Sequence, residues 1–247
     1  MLPRIVPVLL IEHGAAIHST SFGPGSYLGD PLNIARLFSN LGADELLVLD
    51  RTKGRKETAL SSGLLERISR QVACPVSYGG GLRGVGEVRA AFRAGADKVV
   101  FRCERRYSSD LISWASSEFG SQSVVGCINY WFREPRSERR LNRELDYVVG
   151  LSSALSRAGV GEILLQNVAR IGSRSGLDFC GPKRVLDSVQ VPVVISGGAS
   201  SAEDIDAALG FGYSAVAVST LFSLDKTTDA PLVSYFSETA RRSLGWI

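Results

Sequence analysis

The feature that most constrains this chain is a repeat at a spacing of 117 residues. Leu41-Gly-Ala-Asp-Glu-Leu-Leu-Val-Leu-Asp50 lines up with Ala158-Gly-Val-Gly-Glu-Ile-Leu-Leu-Gln-Asn167. At the same shift Pro75-Val76 falls on Pro192-Val193, Gly80-Gly81 on Gly197-Gly198, Gly95 on Gly212 and Val99 on Val216. Separated blocks that share one ungapped register mark two similar halves in tandem.

Each half alternates short apolar runs with segments of helical spacing. The runs predict strands at Arg4–Leu10, Glu45–Asp50, Pro75–Tyr78, Lys98–Cys103, Ser123–Asn129, Glu162–Asn167, Pro192–Ser196 and Ala215–Thr220. Helices are expected at about 31–42, 59–72, 84–95, 108–119, 144–159, 181–190, 201–211 and 232–243, the seventh opened by a capping box at Ser200 and Glu203. Near-continuous apolar strands imply burial on both faces, as in a parallel sheet covered by helices. Four strand–helix pairs per half, closing on each other to remove the sheet edges, predict a single α/β (β/α)8 TIM barrel over residues 1–247, built from two repeated half-barrels. The long connections at 11–30, 51–58 and 130–143 follow the first, second and fifth strands, at the end where such barrels carry their sites. The stretch from Phe22 to Gly29 has the composition of a lid, or equally of a plain surface loop.

Composition narrows the function. Apolar residues at 45% and charged residues at 21% suit a globular domain with an ample core. A net charge of +3, with the basic run Arg133–Arg143 interleaved by Glu134, Glu138 and Glu144, argues against a nucleic-acid surface. Cys74, Cys103, Cys127 and Cys180 are scattered and the two histidines, His13 and His18, share one segment, so neither a metal site nor a cofactor is expected. Without a signal-type or membrane-length apolar run, the expected setting is the reducing cytoplasm.

Gly79-Gly-Gly-Leu-Arg-Gly84 follows a predicted strand, opens a helix, and has Glu104 twenty residues beyond, which matches a dinucleotide fingerprint. Against that reading, the motif lies on the third strand, and its repeat partner Ser196-Gly-Gly-Ala-Ser200 lacks the third glycine. Two symmetry-related glycine turns on opposite sides of one mouth suit instead a ligand with a phosphate at each end, since turn N–H groups and helix N-termini favour anions. The simpler alternative is that these glycines only permit tight turns.

Arg4-Ile-Val-Pro7, Gly29-Asp-Pro31, Gly42-Ala-Asp-Glu-Leu46, Tyr78-Gly-Gly-Gly81, Ala94-Gly-Ala-Asp-Lys98, Phe119-Gly-Ser-Gln-Ser123, Gly161-Glu-Ile-Leu-Leu165 and Ser196-Gly-Gly-Ala199 carry a resemblance to the cyclase subunit of imidazole glycerol phosphate synthase. The resemblance implies a lyase-family barrel that takes ammonia from a glutaminase partner in a heterodimer and closes an imidazole ring on a ribulosyl bisphosphate, with two aspartates as general acid and base. Here Leu10 and Asn129 stand at those two positions. Leucine carries no transferable proton and asparagine does not titrate, and such groups are each worth about 10²–10⁴ in rate, so normal cyclisation is not expected. Asp50 remains at the mouth, where it is either catalytic or an orienting group.

For phosphate, the resemblance implies Gly80, Gly81, Arg102 and Cys103 on one side, and Gly172, Gly197, Gly198, Ser219 and Thr220 on the other. Arg102-Cys103 replaces an asparagine–threonine pair, Ala169-Arg-Ile-Gly172 replaces an acidic motif, and His18 replaces a lysine. At the opposite end, Arg4, Glu45, Lys98 and Glu162 match a charged ring that admits ammonia, and Asp97 matches a carboxylate at the glutaminase contact. The leucine at position 10 also resembles second-copy members linked to lipopolysaccharide and other surface-polysaccharide genes, where the nitrogen serves sugar amidation. The alternatives are a non-catalytic ammonia conduit or glutaminase activator and, behind it, a dinucleotide-binding oxidoreductase.

Overall fold

The structure, a computed structural model, describes residues 3–52, 58, 60, 63–104, 107–131, 138–179 and 181–219. The expected helix at 232–243, Thr220 and Cys180 lie outside the described residues. Eight strands form the barrel: β1 (Arg4–Glu12), β4 (Leu46–Asp50), β5 (Val76–Gly79), β6 (Lys98–Arg102), β7 (Val124–Tyr130), β8 (Glu162–Asn167), β9 (Val193–Ser196) and β10 (Ala215–Val218). Each pairs in parallel with its neighbours, and β1 closes the cylinder against β10 with Arg4 opposite Ala215 and Pro7 opposite Val218. The protein is a (β/α)8 TIM barrel.

Strand alternation divides the core in two. Val6, Val8, Leu47, Val100, Val125, Cys127, Leu164, Val194, Ala215 and Ala217 fill the bore. Their neighbours on the other face, among them Ile5, Leu9, Ile11, Val48, Val99, Ile128 and Ile163, pack under the helices. Each large aliphatic side chain so buried contributes about 1.5–3 kcal/mol. The bore is therefore packed and apolar, with polar groups only at its two ends.

The helices begin where local chemistry satisfies their free N–H groups. Asp30 caps α1 (Pro31–Asn40) by accepting from the Asn33 N–H, with Pro31 pre-set in the first turn. Ser108 caps α4 (Ser109–Phe119) through the Leu111 N–H. The other described helices are α2 (Leu64–Ser69), α3 (Val85–Arg93), α5 (Glu138–Ala158), α6 (Lys183–Leu186) and α7 (Ala202–Gly210). Four differ from expectation, among them α2, which runs over Leu64–Ser69 rather than 59–72. The cap of α7 lies one residue later, on Ser201, whose hydroxyl accepts from the Asp204 N–H, while Asp204 Oδ2 accepts from Ser200 N–H and Oγ–H. Helix α5 starts at Glu138 rather than 144, because the charged residues at 138–144 are good helix formers. Helix α6 is a single turn, because Val189, Val191 and Pro192 resist helix.

The connection at 11–30, expected as a loop, holds an antiparallel hairpin: β2 (Ala15–His18) pairs with the end of β1 and with β3 (Ser26–Gly29). This hairpin leans over the C-terminal mouth. Among the described residues, no helix is long and apolar enough to cross a membrane.

Candidate functional site

The two polar ends of the bore differ in kind. At the N-terminal end the four sequence-predicted charges meet in one closed ring. Lys98 Nζ donates to Glu45 Oε2 and to Glu162 Oε2, both at 2.8 Å. Arg4 Nη1 donates to Glu45 at 2.5 Å, and Arg4 Nη2 to the other Glu162 oxygen. Cations and carboxylates alternate around the axis, so every ring member touches two of opposite sign. Ser77 Oγ adds a donor to Glu45 Oε1 at 2.5 Å. Burial works against the charge on Arg4, but the Glu162 and Glu45 carboxylates outweigh it and hold the guanidinium above its ordinary pKa. Asp97 lies beside the ring, where its Oδ2 accepts from the Val76 N–H at 2.8 Å and so caps the start of β5. Asp44 caps β1 in the same way through the Ile5 N–H at 3.0 Å.

At the C-terminal mouth, alternation turns Leu10, Leu49, Arg102, Asn129, Gln166 and Ser219 toward the axis. Leu10, Leu49, Gln166 and Ser219 line a cavity of about 40 Å³ together with His18 and Ile171. Leu10 offers only methyl groups there. Asn129 is buried, and its Nδ2 donates to Glu104 Oε1 at 2.8 Å. Sequence spacing presents Glu104 only as the acid of a dinucleotide motif. The closed barrel instead brings this side chain, from the loop after β6, against the inward-facing residue of β7. Arg102 Nε lies 3.4 Å from the same oxygen, although the Arg102 side chain is 79% exposed.

Asp50 falls on the face away from the bore. Its Oδ1 accepts from the Thr52 N–H at 2.8 Å, closing a turn at the end of β4. Its repeat partner Asn167 makes the same turn, accepting from the Ala169 N–H at 3.1 Å. A residue that cannot ionise therefore does in one half what Asp50 does in the other.

The glycine turns are required by close approach. At Gly197 and Gly198, φ is 106° and 96°, and an added Cβ would meet the Asn167 carbonyl oxygen at 2.5 Å and that of Gly176 at 2.4 Å. Gly80 stands in the matching place in the first half, where a Cβ would come within 2.7 Å of the Asp50 Cβ. Gly81 follows it at the surface of the mouth, and Gly172 lies under the hairpin, where a Cβ would approach the Ser19 carbonyl oxygen to 2.5 Å. Cys103 points out of the bore into the helix-side core, where burial, then the nearby Glu104 charge, pushes its thiol up to about 12. That side chain faces away from any ligand in the mouth.

The hairpin is fastened across the mouth. Arg51 donates to Glu12 Oε1 at 3.0 Å, to Ser19 Oγ at 3.0 Å and to the Gly23 carbonyl at 2.8 Å. The Ser21 N–H reaches the Ile171 carbonyl at 3.0 Å, and Phe22 meets Trp131 edge-on at 6.5 Å. Sequence reasoning missed Glu104 and Gln166 as mouth residues. The repeat carried a signal for Gln166, which it aligns with the inward-facing Leu49.

Residues 4–228 match a family described as histidine biosynthesis protein. A putative imidazole glycerol phosphate synthase subunit hisF2 of Pseudomonas aeruginosa is 32% identical over 94% of this chain and 95% of its own length. A putative imidazole glycerol phosphate synthase subunit HisF of Leptospira borgpetersenii is 30% identical over 98% of both chains. The imidazole glycerol phosphate synthase subunit HisF of Anoxybacillus flavithermus is 31% identical over 95% of this chain and 96% of its own.

Proposed function

The chain belongs to the histidine biosynthesis protein family, among relatives named imidazole glycerol phosphate synthase subunit HisF, and from that premise we propose that it is the cyclase-like synthase subunit of a glutamine amidotransferase. In this reading residues 1–247 make one barrel that receives ammonia from a glutaminase subunit at its N-terminal face and uses it on a phosphorylated ligand at the opposite mouth. The observation that carries it is the closed ring of Arg4, Glu45, Lys98 and Glu162. Four charged groups at the bottom of an apolar bore cost desolvation, and hydrophobic replacements of equal volume are often no less stable. A ring kept in that position needs a use. Ammonia is small and uncharged, so an apolar bore passes it while refusing ammonium and other ions. The ring, opened at one bridge, is the gate. Asp97, beside it, is the proposed contact for the glutaminase.

The ligand is held, in the same reading, by the turns at Gly80–Gly81 with Arg102 and Cys103, and at Gly197–Gly198 with Gly172, Ser219 and Thr220. Because the Cys103 thiol points away from the mouth, its part is limited to the backbone. Asp50 orients its turn. A cavity of about 40 Å³ lies under the hairpin, lined by Leu10, Gln166 and Ser219 among others. Leu10 and Asn129 argue against the usual imidazole-forming turnover, which favours a different acceptor, and an amidated sugar of surface polysaccharide fits that requirement. The second reading, a conduit or glutaminase activator that hands ammonia to a third protein, rests on the same two residues.

The test uses purified chain, a glutaminase subunit and glutamine labelled with ¹⁵N in the amide, in excess unlabelled ammonium. Labelled nitrogen in a product formed on the barrel, lost in Lys98→Met, is the expected result. Label passing only to an added third protein establishes the conduit instead, and failure of glutaminase subunits to bind removes both readings.

A further inference from the structure

The mouth retains one carboxylate whose hydrogen bonding is incomplete. Glu104 Oε1 accepts from Asn129 and faces Arg102, and the Glu104 backbone carbonyl accepts from the Tyr147 hydroxyl of α5. Glu104 Oε2 is fully enclosed yet has no hydrogen-bond partner among the described residues, and the side chain as a whole is 13% exposed. Other described carboxylates at this end are engaged: Glu12 with Arg51, Asp50 with the Thr52 N–H, and Asp178 with Asn167 and the Gly181 N–H. Leaving a buried acceptor unpaired costs on the order of 1–3 kcal/mol, and more for a charged one. Unpaired buried groups of this kind concentrate at functional sites, where a ligand, an ion or an ordered water supplies the missing partner.

We propose that Glu104 is the proton-transfer residue of this mouth and that Asn129 is its positioning residue, an inference that rests on the ammonia-using function proposed above. The amide of Asn129 cannot titrate, but it fixes one carboxylate oxygen and leaves the other unpaired, to meet the reacting nitrogen once the mouth opens around it. When ammonia arrives through the bore and meets a carbonyl carbon of the ligand, its lone pair forms the N–C bond and the carbonyl π pair moves onto oxygen. Glu104 Oε2 takes one N–H proton and returns it to that oxygen, giving a carbinolamine and restoring the carboxylate. Among the described residues, the charged and titratable groups near Glu104 are Arg102 from β6, Cys103 and Cys127, and Tyr147 from α5, whose hydroxyl reaches the Glu104 backbone carbonyl.

The experiment compares wild type, Glu104→Gln and Asn129→Ala with the ribulosyl bisphosphate ligand and ammonium chloride across pH, alongside their melting temperatures. Glu104→Gln is expected to lower kcat about 10²-fold or more, with KM little changed and the low-pH limb of the rate profile flattened. Its melting temperature should not fall, since a neutral amide is easier to bury than a half-paired charge. Asn129→Ala should keep the limb and lower only its plateau. Retention of the wild-type rate or limb in Glu104→Gln overturns the proposal. If the wild type itself turns nothing over, as Leu10 and Asn129 predict for this ligand, the acceptor is a different one and melting decides Glu104. A variant at least as stable as wild type then supports a functional carboxylate, and a less stable one shows a structural group and overturns the proposal.

Discussion

Two cations and two carboxylates that meet around one axis cannot be altered singly without leaving a charge uncompensated. Lys98→Met leaves Glu45 and Glu162 sharing Arg4 alone, and breaking a buried pair from one side costs about 3–5 kcal/mol. Urea unfolding should show that loss, and the double variant with Glu45→Gln should recover part of it. Cys103 gives a pH signature. Its folded-state thiol is raised to about 12 by burial and then by Glu104, so the folded protein holds that proton more tightly than the unfolded chain does. The resulting stability is complete below the unfolded thiol's pKa of about 8.5 and is lost as pH rises from there toward about 12. Melting temperature should therefore fall between about pH 8.5 and 11, and Cys103→Ala should flatten the fall. The ring's members were legible through the family resemblance, which singled out Arg4, Glu45, Lys98 and Glu162 at strand starts. Glu104 was not. Its partner Asn129 lies 25 residues away, and only closure of β6 against β7 shows that the two side chains meet.

Strands were easier to read than the pieces that join them. A buried parallel strand must be apolar on both faces, and β8 spans Glu162–Asn167 as the pattern predicts. The hairpin β2–β3 escaped because Ala15–His18 and Ser26–Gly29 are too short to show a period, and their pairing depends on the mouth beneath them. The cap of α7 moved by one residue because Ser200 and Ser201 are adjacent, and only the φ/ψ of Ser201 decides which of them closes the helix. These elements carry their own predictions. Gly198→Ala places a methyl against the Gly176 carbonyl in a left-handed backbone, and should destabilise by at least about 2 kcal/mol in thermal unfolding. Arg51→Ala removes the clamp on Glu12, Ser19 and Gly23, so limited proteolysis should cut residues 19–25 several-fold faster, with little change in melting temperature.

The whole molecule is a twofold repeat whose ends have diverged. Asp50 and Asn167 make one turn in each half, and Gly80 and Gly197 clear the same backbone in each half. The repeat therefore made the barrel legible long before its chemistry. A symmetric scaffold says where a mouth will be, but not which loop supplies its acid. The two ends differ accordingly: a closed ring of alternating charges at one, and at the other a mouth whose buried carboxylate, Glu104, comes from a loop rather than a strand. The most direct test of the proposed glutaminase face is hydrogen–deuterium exchange of this chain with and without a bound glutaminase subunit. Protection is expected at the strand starts alone, at residues 4–5, 44–46, 75–76 and 97–98. Unchanged exchange there, or protection centred on residues 13–30 and 168–176 at the opposite mouth, would contradict that face.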